Sequence, residues 1–261
     1  MARIRSTTPS AWSLLKEQYP WPLEQPEVKP LHWSLDYGGR ELITNLIARR
    51  KVRVVLEIGV YLGGSARQWL SVSPDVLVVA VDLWPQVTLS GFEVRDPIGR
   101  RYWDQLSAPD GLYRTFLSSM WDERQRIVPV RSRSTEVLPE LHALGLRPDL
   151  VYLDAGKTGV EIPLLEQLFP DALISGDDWC WHDGRQFPIR MPVKESCRRR
   201  GYHLKQVHNT WLIDDQPWTR QERLIRLRCL PREILHRAGA IRQQIRGVNS
   251  IGISIRPKRV T

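Results

Sequence analysis

Cysteine is scarce in this sequence, and long apolar runs are missing from it. The three cysteines, Cys180, Cys197 and Cys229, are odd in number and far apart, so no disulfide framework is predicted. No apolar stretch approaches the roughly 18 residues that a membrane-spanning helix requires. The amino-terminal residues include early arginines, but they lack the apolar core of a signal peptide. We therefore expect a cytoplasmic location for the protein.

Net charge is also missing from most of the chain. The formal net charge of the whole chain is +9. Residues 219–261 contain eleven lysines and arginines against two glutamates, so they account for all of this charge. Residues 1–218 are therefore neutral overall. A nucleic-acid-binding cleft requires a basic face, so this distribution argues against such a cleft in residues 1–218.

Composition divides the chain into three regions. Residues 1–35 are rich in tryptophan and proline, as in PWPLEQPEVKP, which predicts an ordered arm or lid. Residues 36–218 hold the alternating segments of a folded domain. Residues 219–261 form a basic tail, in which apolar residues from Leu230 to Ile245 recur at helical spacing. Such a helix would lie on an anionic membrane, pack on a second subunit, or cover its own domain.

The alternation in residues 36–218 predicts an α/β fold. Five continuously apolar segments are separated by helical patterns, which is typical of a parallel sheet covered on both faces. Two further segments follow each other with almost no gap, which predicts a terminal antiparallel hairpin. The seven segments are VRVVLEIG, VLVVAVDL, RIVPVRS, LVYLDA, ALISGDD, HLKQVHN and TWLIDD. The predicted fold is a doubly wound, mostly parallel, seven-stranded Rossmann-like sheet, and the long connection from Pro85 to Gly111 is a candidate active-site loop.

A glycine-containing turn follows the first predicted strand. Its sequence, EIGVYLGGS, supplies Glu57, Gly59, Tyr61, Gly63, Gly64 and Ser65. Glycines let a backbone approach a ligand closely, and the spacing differs from the G-x-G-x-x-G of dinucleotide folds. With Asp82 at the end of the second strand, the pattern suits a nucleoside cofactor without a pyrophosphate. Asp82 would accept the ribose hydroxyls, and Glu57 would meet an amino-acid end directly or through water. The alternative is an ordinary turn that needs glycine for packing.

Three acidic residues end the fourth and fifth predicted strands. Asp154 follows LVYL, and Asp177 and Asp178 follow LISG. These strands are neighbours in the predicted topology, so the carboxylates should converge and repel unless a cation neutralises them. Oxygen ligands of this kind are those that Mg²⁺ prefers. The alternative is that the acidic pair caps a turn.

The motifs EIGVYLGGS, VDL, YLDAGK and SGDDW together resemble the S-adenosylmethionine-dependent, divalent-metal-dependent O-methyltransferases. The likeness covers about residues 36–215, with the order and spacing of the motifs kept. Two branches of this family resemble the sequence: the catechol O-methyltransferases, and the macrocin-type enzymes that methylate sugar hydroxyls on natural products. The resemblance implies a cofactor site and a Mg²⁺ site. The cofactor site would comprise Glu57, Gly59, Tyr61, Gly63, Gly64, Ser65, Asp82 for the ribose, Ser134 near the adenine, and Asp154. The metal ligands would be Asp154, Asp177 and Asp178.

Two further residues are candidates for catalysis. Lys157 stands three residues after the first aspartate, where the catechol branch has lysine and macrocin-type enzymes have histidine. A bound Mg²⁺ would depress its pKa and let its amine take the hydroxyl proton. The alternative is a solvated lysine paired with Asp154. His182, after the aromatic residues of SGDDWCW, is an auxiliary base or a partner of an aspartate.

The expected function is Mg²⁺-dependent methyl transfer from S-adenosylmethionine to a hydroxyl of a small molecule or glycan. Chelation of two neighbouring oxygens would favour a vicinal diol or a catechol-like acceptor. One alternative is a metabolite-binding module without catalysis. Another is a metal-dependent enzyme of different chemistry on the same fold, as in cephalosporin-hydroxylase-like proteins. The expected partners are the acceptor and, through the basic tail, a membrane surface or a second copy of the chain.

Overall fold

A computed structural model describes residues 7–32, 38–86, 101–184 and 186–230 of the chain. Much of the predicted loop from Pro85 to Gly111, and the predicted tail helix beyond Leu230, lie outside these residues. Within the described ranges, no helix combines the length and the apolar character that crossing a membrane would require.

Seven strands form one mixed sheet. They are β1 (Val54–Ile58), β2 (Leu77–Asp82), β3 (Ile127–Arg131), β4 (Leu150–Leu153), β5 (Leu173–Gly176), β6 (His203–Val207) and β7 (Thr210–Asp214). The strand order is β3-β2-β1-β4-β5-β7-β6. The first five strands pair in parallel, and β7 runs antiparallel to both β5 and β6. The predicted fold class is confirmed, including the terminal hairpin.

Helices cover both faces of the sheet. They are α1 (Pro9–Gln18), α2 (Glu41–Arg50), α3 (Gly64–Val72), α4 (Trp103–Ser107), α5 (Gly111–Ser119), α6 (Ser134–Ala143), α7 (Glu161–Leu168), α8 (Arg190–Arg200) and α9 (residues 220–230). Successive strand residues point to opposite faces, so Val54 and Val55 belong to different core clusters. One cluster lies beneath α2, α3 and α5, and the other beneath α6, α7 and α8. Burial on both faces explains why the central strands are continuously apolar.

The described part of the amino-terminal arm packs on the domain. Thr8 caps α1 by accepting a hydrogen bond from the backbone N–H of Ala11 (3.2 Å). Leu15 on this helix is fully buried in a core cluster. Further along the arm, the indole of Trp21 donates to the carbonyl of Ile127 (2.8 Å). These contacts join the described part of the arm to the domain.

Helix α9 also packs on the domain. Its Ile225 is fully buried in the same cluster as the α2 side chains. The buried ammonium of Lys205 on β6 donates to Asp214 (2.6 Å) and to Glu222 of α9 (2.7 Å). The first part of the basic tail is thus joined to the sheet by apolar and ionic contacts.

Candidate active site

The carboxyl ends of β1, β4 and β5 meet at one edge of the sheet. The strand register pairs Ile58 with Leu153, and Leu153 with Gly176. The residues that follow these strand ends are therefore brought side by side. They are Gly59, Asp154 and Asp177.

The loop after β1 has an unusual backbone. Gly59, Tyr61 and Gly63 all have positive φ angles, of 89°, 53° and 82°. A Cβ atom on Gly59 would lie 2.4 Å from the carbonyl oxygen of Asp154. One on Gly63 would lie 2.7 Å from the side chain of Met120. Both glycines are therefore required by contacts within the protein, as the packing alternative predicts, and Gly59 brings the loop against the end of β4.

Asp82, at the end of β2, holds this loop. Its Oδ2 accepts hydrogen bonds from the backbone N–H groups of Val60 (2.8 Å) and Tyr61 (2.9 Å). Its Oδ1 accepts one from the N–H of Trp84 (2.9 Å). A carboxylate offers about four acceptor positions, so three internal bonds leave capacity for one from a ligand hydroxyl. The predicted ribose contact of Asp82 is compatible with this geometry and stays a prediction.

Glu57 is fully buried beneath the loop. Its carboxyl accepts from the hydroxyl of Ser65, next to Gly64 at the start of α3, and from the indole of Trp69 (2.9 Å). Burial raises the pKa of Glu57 to about 7, although both donors favour the charged form. Both carboxyl oxygens of Glu57 therefore have partners inside the protein, and its predicted contact with the cofactor finds no support in this geometry.

Ser134 lies at the start of α6, after β3. Its hydroxyl donates to Oε1 of Glu161 at the start of α7 (3.1 Å). The hydroxyl oxygen retains acceptor capacity. The predicted position of Ser134 near the adenine is not tested by these contacts.

A buried arginine lies between the first two aspartates of the predicted metal site. One guanidinium nitrogen of Arg40 lies 3.0 Å from Oδ2 of Asp154 and 3.5 Å from Oδ2 of Asp177. Its Nε donates to the hydroxyl of Tyr152 (3.1 Å), and only 4% of the side chain is exposed. Burial disfavours its charge, but the neighbouring Tyr152, Asp154 and Asp177 raise the pKa of Arg40 above its ordinary value. Arg40 is therefore a permanent cation in this cluster.

Lys157 pairs with the third aspartate. Its ammonium donates to Oδ2 of Asp178 and lies 3.8 Å from Oδ1 of Asp154. Burial lowers its pKa, but Asp178 and Asp154 outweigh that effect, so the pKa of Lys157 is raised. The depression of this pKa was predicted for a bound Mg²⁺, whereas the neighbours of Lys157 in this arrangement are carboxylates, and its role as a base stays a prediction. Lys157 is a cation here rather than a neutral amine.

Asp154 is a partly buried carboxyl group close to other charges of the cluster. Burial and the nearby charge of Asp177 raise its pKa well above the ordinary range, against the opposing effects of Arg40 and Lys157. Its side chain remains 23% exposed. Asp154 can therefore contact a group that approaches the carboxyl ends of the strands.

The donor set does not fit the predicted Mg²⁺ site. Asp154 and Asp177 face the guanidinium of Arg40, and Asp178 faces Lys157. Over the ranges that the structure describes, no three His, Cys, Asp or Glu side chains are grouped so that they could hold a metal ion. The cations that contact the three aspartates belong to the protein, and the predicted role of these residues as metal ligands has no support in this geometry.

His182 lies away from these contacts. It is exposed, its Nδ1 accepts from the N–H of Gly184 (3.2 Å), and its ring lies edge-on to Phe187. Neither contact involves an aspartate, so the geometry gives no support to a catalytic role for His182. The neighbouring Trp179 is 8% exposed and belongs to the core, and Trp181 is 40% exposed.

Comparisons with known proteins give structural likenesses only. No protein-family model and no curated protein matches the chain. One similar solved structure is the O-methyltransferase TomG from Streptomyces achromogenes, involved in tomaymycin synthesis and in complex with SAM. It is 15% identical over 80% of this chain and 91% of TomG, with a TM-score of 0.46. Another is the SAH-bound methyltransferase PaMTH1 from Podospora anserina, 15% identical over 80% of this chain and 89% of that one, with a TM-score of 0.42. What this chain does is inferred from its own residues.

Sequence reasoning missed Arg40 and Tyr152. Tyr152 lies inside an apolar strand, where an aromatic residue is ordinarily interpreted as part of the core. Arg40 precedes the amphipathic α2, where a charged residue is ordinarily interpreted as an exposed residue at the start of a helix. The signal that could have found Arg40 is the Gly38-Gly39 pair before it, because two consecutive glycines indicate a close backbone approach.

Proposed function

We propose that this chain transfers a methyl group from S-adenosylmethionine to a hydroxyl of a small molecule or glycan. The observation that carries the proposal is the contact between the glycine loop and the charged cluster. Gly59 lies against the carbonyl of Asp154, and the N–H of Asp154 donates to the carbonyl of Ile58 (2.7 Å). A nucleoside cofactor on the loop would therefore present its reactive group beside Asp154 and Lys157.

The residues present fit this cofactor. Asp82 retains acceptor capacity for a ribose hydroxyl, and Gly63 and Gly64 open α3, whose first N–H groups suit a carboxylate. When bound, the cofactor supplies an electrophilic methyl group on a sulfonium. The protein must then hold an acceptor oxygen in line with that methyl at about 3 Å.

The charged cluster would manage the acceptor proton. Asp154, whose side chain is partly exposed, would be placed to receive the proton of the acceptor hydroxyl. The ammonium of Lys157 stabilises the negative charge that develops on the oxygen. This help matters most for an aliphatic hydroxyl, whose pKa lies far above neutral, and less for a phenol, whose pKa is near 10.

The geometry of the site does not favour one class of acceptor over another. The expectation of a diol depended on chelation by a metal, and the arrangement around Arg40 gives that expectation no support. Sugar hydroxyls and phenols both remain within the proposal. The alternative of a metal-dependent enzyme of different chemistry has the same weakness, because it requires the same ligand set.

Cofactor binding provides the first test. Isothermal titration calorimetry should show one site for S-adenosylmethionine, which Asp82→Ala weakens by about 1–3 kcal/mol. Asp75→Ala, at an exposed aspartate in the turn before β2, is the matched control and should bind normally. Absence of binding to the wild-type protein would overturn the proposal.

Turnover provides the second test. Labelled S-adenosylmethionine should be incubated with sugars, catechols and glycosylated metabolites, and methylated products identified by mass spectrometry. A product whose formation requires Asp154 supports the enzyme. Cofactor binding without any transfer across these acceptor classes would favour the metabolite-binding module instead.

A further inference from the structure

We infer that the guanidinium of Arg40 takes the place of a divalent cation in the cluster of Asp154, Asp177 and Asp178. The cluster is then neutralised by the protein itself, and methyl transfer proceeds without Mg²⁺. The part that concerns turnover depends on the proposed function, whereas the part that concerns metal binding does not.

The position of Arg40 is the first support. A single nitrogen, Nη2, lies within 3.5 Å of one oxygen from each of two aspartates at adjacent strand ends. A cation that bridges Asp154 and Asp177 would occupy this same place. The Nε atom is fixed separately by Tyr152, whose ring also lies beneath the guanidinium at 5.8 Å.

The backbone before Arg40 is built for this placement. Gly38 and Gly39 have φ angles of 101° and 112°, which side chains rarely adopt. A Cβ atom on Gly39 would lie 2.1 Å from the carbonyl oxygen of Val207 and 2.9 Å from Oγ1 of Thr210. The chain therefore presses against the β6–β7 hairpin at Gly39. This contact carries Arg40 to the carboxyl edge of the sheet, where its side chain becomes buried.

The cluster contains its own cations. Arg40 faces Asp154 and Asp177, and Lys157 faces Asp178. For Mg²⁺ to bind, Arg40 would have to leave its two carboxylates. Its side chain is 4% exposed, so it would remain as a buried charge without its ionic partners. Loss of one partner from a buried ion pair is strongly unfavourable, so the ion is excluded.

The consequence for the reaction is positional. Arg40 holds Asp154 and Asp177 together at the ends of β4 and β5. It is a positioning residue, since its nitrogen atoms contact the carboxylates and Tyr152. Partners of this kind around a reactive group typically contribute about 10–100-fold to activity.

Metal binding is the direct test. Mn²⁺, which can be followed by electron paramagnetic resonance, should show no saturable site on the wild-type protein, and neither EDTA nor Mg²⁺ should shift its melting temperature. Arg40→Met removes the charge, leaves Asp154 and Asp177 facing each other, and should create a Mn²⁺ site. Arg49→Met, at an arginine of α2 paired with Glu222 outside the cluster, is the matched control and should create none.

Activity separates positioning from folding. Arg40→Met should lower kcat by about 10–100-fold, and Arg40→Lys should recover part of it. One Mn²⁺ bound by the wild-type protein and lost in Asp177→Asn would overturn the inference, and so would inhibition by EDTA that Mg²⁺ reverses. The wild-type titration decides the question even if Arg40→Met does not fold, and even if no acceptor is methylated.

Discussion

Glu57 shows how one buried side chain makes stability depend on pH. Burial raises its pKa from 4.5 to about 7, so the folded protein holds this proton more tightly than the unfolded chain does. The contribution of Glu57 is therefore fully present below about pH 4.5 and is lost as the pH rises through 7. The free energy of unfolding should fall by an amount on the order of 3 kcal/mol across that window. Glu57→Gln should remove this component, as measured by urea unfolding at several pH values.

The control for this prediction is Glu17→Gln, at an exposed glutamate of α1, which should leave the pH profile unchanged. A Glu57→Gln protein whose stability keeps the wild-type dependence on pH would show that another group is responsible.

Lys157 has neighbours that suit a charged side chain rather than the predicted neutral base. Its carboxylate neighbours keep it charged, so we expect it to act as a cation. Lys157→Met should lower kcat by about 10²-fold, because a fixed charge near the developing oxyanion is lost. Lys157→Arg should retain most of the activity, since arginine keeps the charge but cannot act as a base. Steady-state kinetics on the identified acceptor distinguish a fixed cation from a general base. An inactive Lys157→Arg together with an active Lys157→His would show that Lys157 acts as the general base.

The acidic residues of the site were predictable, and their partners were not. Asp82, Asp154 and Asp177 end apolar segments, and the parallel fold brings such strand ends together, so the sequence locates them. Arg40 comes from before β1, and its meeting with the aspartates depends on the path of Gly38 and Gly39 against the hairpin. The contact between Arg40 and Asp154 spans more than a hundred residues of sequence, and the Gly38-Gly39 pair indicates a close approach without identifying its partner.

The strands can be predicted from local sequence patterns, but the contacts between strand ends depend on how closely their backbones approach each other. All seven strands match predicted segments, and the five parallel strands are continuously apolar because both faces of the sheet are covered there. The role of the glycines at the strand ends could not be predicted in the same way. At Gly59 and Gly176, a Cβ would lie 2.4 Å from a backbone carbonyl of β4 or of the loop that follows it. The sequence shows that these glycines are present, but only the structure shows that they let the strand ends converge.

Gly59→Ala tests that convergence. The added Cβ would meet the Asp154 carbonyl at 2.4 Å, and the φ of 89° is unfavourable for alanine. We expect a loss of about 1–3 kcal/mol in the free energy of unfolding, together with weaker cofactor binding. Gly201→Ala is the matched control: its φ is 66°, and no atom lies within 4 Å of the added Cβ. Equal losses in the two variants, measured by urea unfolding, would assign the effect to φ alone.

At the scale of the whole molecule, the boundary in charge along the sequence does not coincide with the end of the folded core. Composition separates a neutral domain from a basic tail at residue 218, but the core continues across that point. Asp214 on β7 and Glu222 on α9 enclose the ammonium of Lys205, and all three side chains are fully buried. Arg49 on α2 adds a third contact, to Glu222 at 2.9 Å. Lys205 and Glu222 lie in segments that the sequence assigned to different regions, so pattern reasoning could not pair them.

Truncation of the tail tests whether the folded core ends at residue 218 or includes α9. A chain that ends at residue 218 loses Glu222 and the buried Ile225, and it leaves Lys205 with one carboxylate in place of two. Breaking a buried ion network costs about 3–5 kcal/mol, so this chain should melt well below the full-length protein. A chain that ends at residue 230 keeps every one of these contacts and should melt with the full-length protein. Glu222→Gln in the full-length chain isolates the ionic part of the loss. If calorimetry gave the chain ending at 218 the same melting temperature as the chain ending at 230, α9 would be a dispensable appendage and the core would end with β7.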